Sequence, residues 1–275
     1  MGLLSRLGGK DGGRANGFPI DIVIALKSPA AIEPKKFIEG FAGRWGTKVG
    51  FTEDSELSEP GKKMRAYVLT NGKSKIIITN RSEPLSKSVC KTLSDLIGDD
   101  EEEKKELLRN NGSLLLQIAD MGEHAAERAT FAAQILLYFM EGTNSLGYSC
   151  KSGYFYRPRK WASFYFNRRT LEPADLFTLL DSIHFMSDAR WVHTHGLEQF
   201  GLPDIEIRYR DRWREEYYGD LIANAAVYCI EKGPVLHVGN AAEMMGDGVI
   251  FKVIRPRLEP GHHYGKFGTI GLTKI

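Results

Sequence analysis

KMRAYVLTNGKSKIIIT, residues 63–79, places one apolar run on each side of the dipeptide Asn71-Gly72. This dipeptide adopts positive φ at low cost, and between two apolar runs it is the strongest short-range signal of a β-hairpin. The stretch therefore predicts two antiparallel strands joined by a tight turn. The rest of the first half of the chain can be placed around this hairpin.

The segments on either side of the hairpin predict further strands and helices. Residues 18–26 form a compact apolar run that is typical of a buried strand. Pro34 suits the first turn of a helix and Gly46 suits its end, while residues 48–51 predict a short strand. A second apolar stripe at helical spacing follows the hairpin and ends at Gly98. We therefore expect the order β-α-β-β-β-α in this part of the chain.

The rest of the chain has a similar mixture of elements. An apolar strand and an alanine-rich helix come first, followed by a helix that begins at Pro173 and includes Ile183. Alternating residues at 191–195 and 204–209 predict two strands, and residues 211–232 predict a long helix. The whole pattern predicts an α+β fold with two β-α-β-type halves, in which helices cover mostly antiparallel sheets.

The strongest shift in composition is the acidic run DDEEE at residues 99–103. Like charges repel one another and are costly to bury, so this run predicts a solvated linker or the front of an exposed helix. We expect the acidic linker, residues 99–112, to separate an N-terminal half at 18–98 from a C-terminal half at 113–275. The glycine-rich residues 1–17 predict a flexible leader.

Composition narrows the expected compartment and partners. The 275 residues include 37 lysines and arginines against 35 aspartates and glutamates, and this balance argues against a dedicated nucleic-acid coat. No stretch approaches the roughly 20 apolar residues that a membrane helix needs, and the first residues lack the apolar core of a secretory signal. The three cysteines are far apart, which fits free thiols in a reducing compartment. We expect a cytoplasmic protein that does not bind membranes.

The segment WVHTHGLEQFGLPDIEI, residues 191–207, is the first candidate site. Alternate side chains of a strand face the same side, so His193 and His195 are expected about 6–7 Å apart. Carboxylates that could complete a zinc or iron site follow in the same segment: Glu198, Asp204 and Glu206. Such a site would suit a metal-dependent hydrolase. The alternative is a structural corner, in which Gly196 and Gly201 allow turns and the histidines have no catalytic role.

Basic and aromatic residues alternate in two further stretches, residues 154–169 and 208–214. The candidate binding residues in them are Tyr154, Tyr156, Arg157, Trp161, Arg212 and Trp213. Tyrosine, tryptophan and arginine dominate protein–protein hot spots, and they also stack on bases and pair with phosphates. We expect another protein as the partner, with single-stranded nucleic acid as the alternative. In a third interpretation the aromatic rings belong to the core and the arginines pack on them.

Several catalytic signatures are missing from the sequence. It contains no P-loop, no G-x-G-x-x-G after a strand, no H-E-x-x-H and no G-x-S-x-G. No cysteine lies in a recognisable nucleophile context. We therefore expect no cofactor, and we favour a non-enzymatic protein-interaction module over an enzyme.

Residues 194–207, THGLEQFGLPDIEI, resemble a bacterial family known as domain of unknown function four-two-six-one. The similarity extends more loosely over residues 17–252. It implies a cytoplasmic bacterial α+β protein, and the family supplies no catalytic residues that could be assigned to this chain. By analogy with other domains of this kind, the resemblance implies a role in protein interaction, possible neutralisation of a toxin included.

Overall fold

Two β-sheets packed with α-helices form the computed structural model of the chain. The described residues are 20–59, 63–118, 125–150, 154–186, 189–210, 215–257, 265 and 267–275. Both sheets are mostly antiparallel, which confirms the α+β fold expected from the sequence. The predicted leader, residues 1–17, lies outside the described residues.

The first sheet contains seven strands and includes the predicted hairpin. The strands are β1 (Ile20–Leu26), β2 (Gly50–Glu59), β3 (Met64–Thr70), β4 (Lys75–Arg81), β5 (Gly112–Ile118), β6 (Ser145–Cys150) and β7 (Phe155–Pro158). Their order across the sheet is β2-β3-β4-β5-β1-β6-β7, and each neighbouring pair is antiparallel. The four residues 71–74, which include Asn71 and Gly72, join β3 to β4, and Gly72 has a φ of 87°. The Asn71 Oδ1 accepts hydrogen bonds from the backbone N–H groups of Lys73 and Ser74, which holds the turn.

Seven α-helices accompany the sheets among the described residues. They are α1 (Pro34–Trp45), α2 (Lys87–Ile97), α3 (Glu101–Leu108), α4 (Ala125–Gly142), α5 (Arg159–Ala162), α6 (Pro173–Leu180) and α7 (Glu215–Lys232). The bounds predicted for α1 are confirmed: Pro34 opens the helix, and Gly46 caps it with a φ of 66°. None of the described helices is long and apolar enough to cross a membrane.

The second sheet contains six strands from the C-terminal part of the chain. They are β8 (Ser182–Met186), β9 (Trp191–His195), β10 (Asp204–Arg208), β11 (Ala241–Glu243), β12 (Ile250–Ile254) and β13 (Thr269–Lys274). Their order is β11-β12-β13-β10-β9-β8, so β8 lies at one edge. The β10–β13 pair is parallel and the other pairs are antiparallel.

The acidic run begins helix α3 and is not an extended linker. The Asp100 Oδ1 accepts a hydrogen bond from the Glu103 backbone N–H, and carboxylates are favourable at a helix N-terminus. Because β5 pairs with both β4 and β1, the first sheet continues across residues 99–112. The change from one sheet to the other falls within residues 159–181. The two predicted halves therefore do not correspond to the two sheets.

The helix predicted to include Ile183 ends earlier, at Leu180. Asp181 is extended, with φ −117° and ψ 170°, and Ile183 lies in β8 opposite Thr194. The Gln199 side-chain Nε2 donates a hydrogen bond to the Leu180 carbonyl at 2.6 Å. A distant side chain and strand pairing thus end the helix, and the local apolar spacing does not reveal either.

One apolar core runs from the first sheet to the second. The alternate residues Ile20, Ile22 and Ile24 of β1 are buried in it, together with residues of β9, β10 and α7. Helix α7 packs on β8, β9 and β10, while α4 packs on β1, β5 and β6. Helix α4 also contacts the 3-10 turn Leu197–Phe200, which lies between β9 and β10. The core therefore positions the segment that the sequence marked as a candidate site.

We predict that Gly147→Ala in β6 destabilises the fold by about 1–3 kcal/mol, because the site has no room for a methyl group. A Cβ at this position would lie 2.6 Å from the Arg157 carbonyl oxygen and would also overlap the Tyr156 hydroxyl. Gly43→Ala in α1 is the matched control: no atom lies within 4 Å, and alanine should stabilise this helix by up to about 1 kcal/mol. Urea unfolding of both variants tests this. A Gly147→Ala protein as stable as the wild type would contradict the packing.

Candidate functional site

The chain turns sharply between β9 and β10, in a segment that we call the β9–β10 corner, residues 196–203. Gly196 has a φ of 124° and Gly201 a φ of 74°, both of which favour glycine. A Cβ at Gly196 would lie 2.9 Å from the Gln199 Nε2 and 3.1 Å from the Leu180 carbonyl oxygen. The corner therefore packs closely against the end of α6.

Asp204, at the start of β10, forms buried hydrogen bonds that stabilise the corner. Its Oδ1 accepts hydrogen bonds from the Thr194 hydroxyl at 3.0 Å and from the Leu197 backbone N–H at 3.2 Å. The Thr194 Oγ1 in turn accepts a hydrogen bond from the Ile205 N–H at 2.9 Å. These bonds join the end of β9, the corner and the start of β10. Asp204 was a predicted metal ligand, but its described contacts are those of a structural residue.

Burial controls the ionisation of the carboxyl groups around the corner. It raises the pKa of Asp204 to about 7, because the charged form loses its hydration, and the nearby Glu198 charge adds to this shift. Hydrogen bonds from Thr194 and Leu197 act in the opposite direction. Burial, with a contribution from Asp204, also raises the pKa of Asp181 well above its ordinary value. Two carboxyl groups beside the corner, those of Asp181 and Asp204, thus resist ionisation.

Gln199 connects the corner to the first sheet. Its Nε2 binds the Leu180 carbonyl at the end of α6, and its Oε1 accepts a hydrogen bond from the Cys150 thiol at 3.1 Å. Cys150 is the last residue of β6. The Gln199 side chain therefore ties the junction between α6 and β8 to strand β6.

His193 and His195 lie on one face of β9, and a third histidine joins them. His184 of β8 is paired with His193, and the two ring centroids are 5.6 Å apart. The His195 ring centroid lies 4.9 Å from each of the other two. Trp191 stacks on His193 at 4.1 Å. Sequence analysis did not identify His184, because its place in the cluster depends on the pairing of β8 with β9.

Glu198, the third predicted metal ligand, lies beside Gly265. The Glu198 Oε2 and the Asp204 Oδ2 both lie beside Gly265, at 3.3 and 3.2 Å from the position that a Cβ would take there. Glu206 is buried, and its Oε1 accepts a hydrogen bond from the Arg257 backbone N–H at 2.8 Å. Among the described residues, no group of three or more histidine, cysteine, aspartate or glutamate side chains is placed to hold a metal ion.

Part of the predicted aromatic and basic patch is packed inside the protein, whereas Lys160, Phe164, Arg168 and Arg169 of the same stretch are exposed. The Arg157 guanidinium lies 4.4 Å from the Phe155 ring centroid and 4.0 Å from that of Trp161, and it donates to the Asp181 carbonyl at 3.0 Å. Burial lowers the pKa of Arg157. Tyr156 is buried in a small apolar cluster beside the first sheet. Tyr156, Arg157 and Trp161 therefore stabilise the fold, as expected in the interpretation that the rings belong to the core and the arginines pack on them. Arg212 and Trp213 lie outside the described residues.

Tyr154, an exposed residue of the same stretch, lies next to the histidine cluster. Its side chain is 45% exposed, and its ring centroid is 5.2 Å from that of His195. His195 is paired with Ser182, the first residue of β8. The two candidate stretches of the sequence thus meet at one end of the β8–β9 pair.

Strand β8 differs from the strands at the other sheet edges. Strand β2 carries Glu53 and Asp54, β7 ends at Pro158 and contacts α2 and α5, and β11 has only three residues. Charge, proline and short length are the usual protection of a sheet edge. In β8, by contrast, Phe185 is 46% exposed and Met186 is 47% exposed. Within the described ranges, no strand pairs with its outer side. We call this surface the β8 edge, Ser182–Met186.

Comparison of the chain with protein-family models, with curated proteins and with solved structures gives no match. The resemblance noted over residues 194–207 therefore stays a prediction. The functional assignment is made from the geometry of the chain.

We predict that Asp204→Asn removes a pH-dependent cost from folding. The folded-state pKa of about 7 lies above the ordinary value of 3.8, so the aspartate's contribution to stability is greatest below pH 4 and is lost as the pH rises through 7. Asparagine keeps the Oδ1 acceptor but does not ionise. The variant should gain stability relative to the wild type between pH 4 and pH 8, by on the order of a few kcal/mol.

Urea unfolding at several pH values measures this difference. Asp220→Asn, at an exposed position of α7, is the control and should change stability little. A stability difference between Asp204→Asn and wild type that does not vary with pH would contradict the role of Asp204.

Proposed function

We propose that the chain is a non-enzymatic protein-interaction module that binds an extended segment of protein as an added strand at the β8 edge. One observation carries this proposal: β8 is an edge strand that exposes Phe185 and Met186, whereas the other three edges are charged, covered or very short. Natural sheets rarely leave such an edge unprotected. Strand addition is a common way of binding a peptide, because the backbone supplies hydrogen bonds and alternate side chains supply contacts.

The two faces of β8 offer different contacts to an added strand. Ile183 and Phe185 face α7, and the Phe185 ring lies 2.7 Å from the position that a Cβ would take at Gly219. His184 and Met186 face the opposite side, which carries the other two histidines. An added strand would therefore be selected for apolar residues on the helix side. On the histidine side, the added strand would carry aromatic or polar side chains.

The residues that sequence analysis offered for other functions have structural contacts here. Asp204 holds the corner, and Arg157 packs between rings and binds a carbonyl oxygen. The Arg157 guanidinium packs on Trp161 and donates to the Asp181 carbonyl, so it is not placed to pair with a phosphate. Tyr154 is the member of the predicted patch that remains available beside the β8 edge. A protein strand is the ligand class that best fits this combination.

We predict that extended peptides selected for binding will depend on Phe185. A displayed library of unstructured peptides is selected against the chain, immobilised at low density so that its copies do not meet. The affinities of the selected peptides are then measured by fluorescence anisotropy. Phe185→Lys should weaken binding at least about tenfold, since it removes an apolar contact and places a charge in the edge.

Two further variants make the peptide experiment specific. Met186→Lys changes the opposite face of the same strand and should also weaken binding. Tyr228→Lys replaces a ring of similar exposure, 47%, on α7 and should leave the affinity within about twofold. Circular dichroism confirms that each variant is folded. Selection of no peptide, or of peptides that bind all variants equally, would refute the proposed function.

A further inference from the structure

We propose that a cleft beside helix α3 binds a small phosphomonoester that also carries hydroxyl groups, such as a sugar phosphate. The cleft has a volume of about 330 Å³ and lies where α3, the end of β1, the turn between α4 and β6, and the β7–α5 junction meet. We call it the α3 cleft. The lining residues that carry the argument are Lys27, Glu103, Glu106, Asn144, Arg159 and Lys160. Small-molecule sites begin at about this size, so the ligand is compact.

The strand ends on one side of the α3 cleft are fixed by the first sheet. Lys27 directly follows β1, and its backbone N–H donates a hydrogen bond to the Asn144 carbonyl at 2.8 Å. The Asn144 Nδ2 donates to the Ser28 hydroxyl at 3.2 Å. Pro158, the last residue of β7, is paired with Gly147 of β6. This side of the cleft is therefore preorganised, which lowers the cost of binding a ligand.

The acidic run of the sequence supplies the opposite wall of the α3 cleft. The Glu103 Oε1 lies 2.7 Å from the Lys160 Nζ, and this ion pair joins α3 to α5. Glu106, three residues further along α3, forms an ion pair with Arg109. Both glutamates that line the cleft thus already have a cationic partner.

Two cations that line the cleft, Lys27 and Arg159, have no carboxylate partner among the residues that the structure describes. The Arg159 Nη2 donates to the Glu141 carbonyl at 3.1 Å, and the guanidinium lies 5.1 Å from the Phe166 ring centroid. These contacts orient the guanidinium without neutralising it. Two unpaired cations beside one cavity favour an anion, and a phosphomonoester carries a charge of about −2 at neutral pH. The forked donors of arginine also match phosphate oxygens.

The remaining lining groups select what the phosphate is attached to. The carboxylates of Glu103 and Glu106 accept hydrogen bonds from hydroxyl groups and repel a second anionic group. Leu146 and Pro158 add apolar surface on which a short carbon skeleton can pack. A sugar phosphate meets both conditions. A polyphosphate or a dicarboxylate would instead place a second charge beside the glutamates.

Isothermal titration calorimetry at low ionic strength tests this inference. Glycerol 3-phosphate, ribose 5-phosphate and glucose 6-phosphate are titrated into the chain. At least one should bind with a Kd below about 1 mM, and its affinity should fall as salt is added. Ribose should not bind, because it lacks the phosphate. Inorganic phosphate and succinate should bind at least about tenfold more weakly than the best phosphomonoester, because phosphate lacks the hydroxylated body and succinate carries two separate charges.

Three variants assign the binding to the α3 cleft. Lys27→Met should weaken it at least about tenfold, since it removes an unpaired cation but keeps the backbone hydrogen bond to Asn144. Arg159→Met should act in the same direction. Lys252→Met, at an exposed position of β12 in the second sheet, is the matched control and should leave the affinity within about twofold. Circular dichroism confirms that each variant is folded.

The outcomes are separate from those of the proposed function. Binding of none of the three phosphomonoesters would overturn this inference, as would equally tight binding of succinate or inorganic phosphate. An affinity that Lys27→Met leaves unchanged would also overturn it. Peptide binding at the β8 edge is measured independently, so failure of either proposal leaves the other standing.

Discussion

The buried carboxyl group of Asp204 is the interaction on which the second sheet depends. Its Oδ1 accepts hydrogen bonds from the Thr194 hydroxyl at the end of β9 and from the Leu197 N–H in the corner. The Thr194 Oγ1 in turn accepts a hydrogen bond from the Ile205 N–H in β10. A buried polar group of this kind stabilises a fold only when its hydrogen bonds are satisfied. Here they set where β9 stops and where β10 begins. The register of the sheet follows, since His193 pairs with Glu206 on one side and with His184 on the other.

The same corner fixes the point at which β8 begins. Gln199 binds both the end of α6 and the Cys150 thiol of β6, so the chain leaves the helix at a fixed point and enters β8 at Ser182. Strand β8 then pairs with β9, and it pairs with no second strand among the residues that the structure describes. Its histidine face is continuous with His193 and His195, and its helix face rests on α7. Phe185 and Met186, at the far end of this strand, are its two exposed residues.

Sequence reasoning succeeded where structure is decided locally. The turn at Asn71-Gly72 and the helix from Pro34 to Gly46 depend on the conformational limits of single residues, and both are present as predicted. The α+β class followed from the alternation of such segments. The acidic run was one of these local features, but its role depended on its neighbours: Asp100 caps a helix, and β5 then enters the first sheet between β4 and β1.

The candidate site was only partly predictable, because its members meet through pairing between distant segments. The shared face of His193 and His195 followed from strand geometry, whereas His184 joins them only through the β8–β9 pair. Arg157 looked like a binding residue, and its position between Phe155 and Trp161 needed the three-dimensional packing. The exposed edge was hidden for a similar reason, since Ile183 fitted the helical spacing of α6.

Hydrogen exchange of the β8 backbone amides, followed by mass spectrometry during titration with a selected extended peptide, tests the central claim most directly. An added strand forms hydrogen bonds with the outer side of β8, so the β8 amides should exchange more slowly as the peptide concentration rises. The amides of β2, at the charged edge of the other sheet, should show no such dependence. Exchange from residues 182–186 that is equally fast at every concentration would contradict the account.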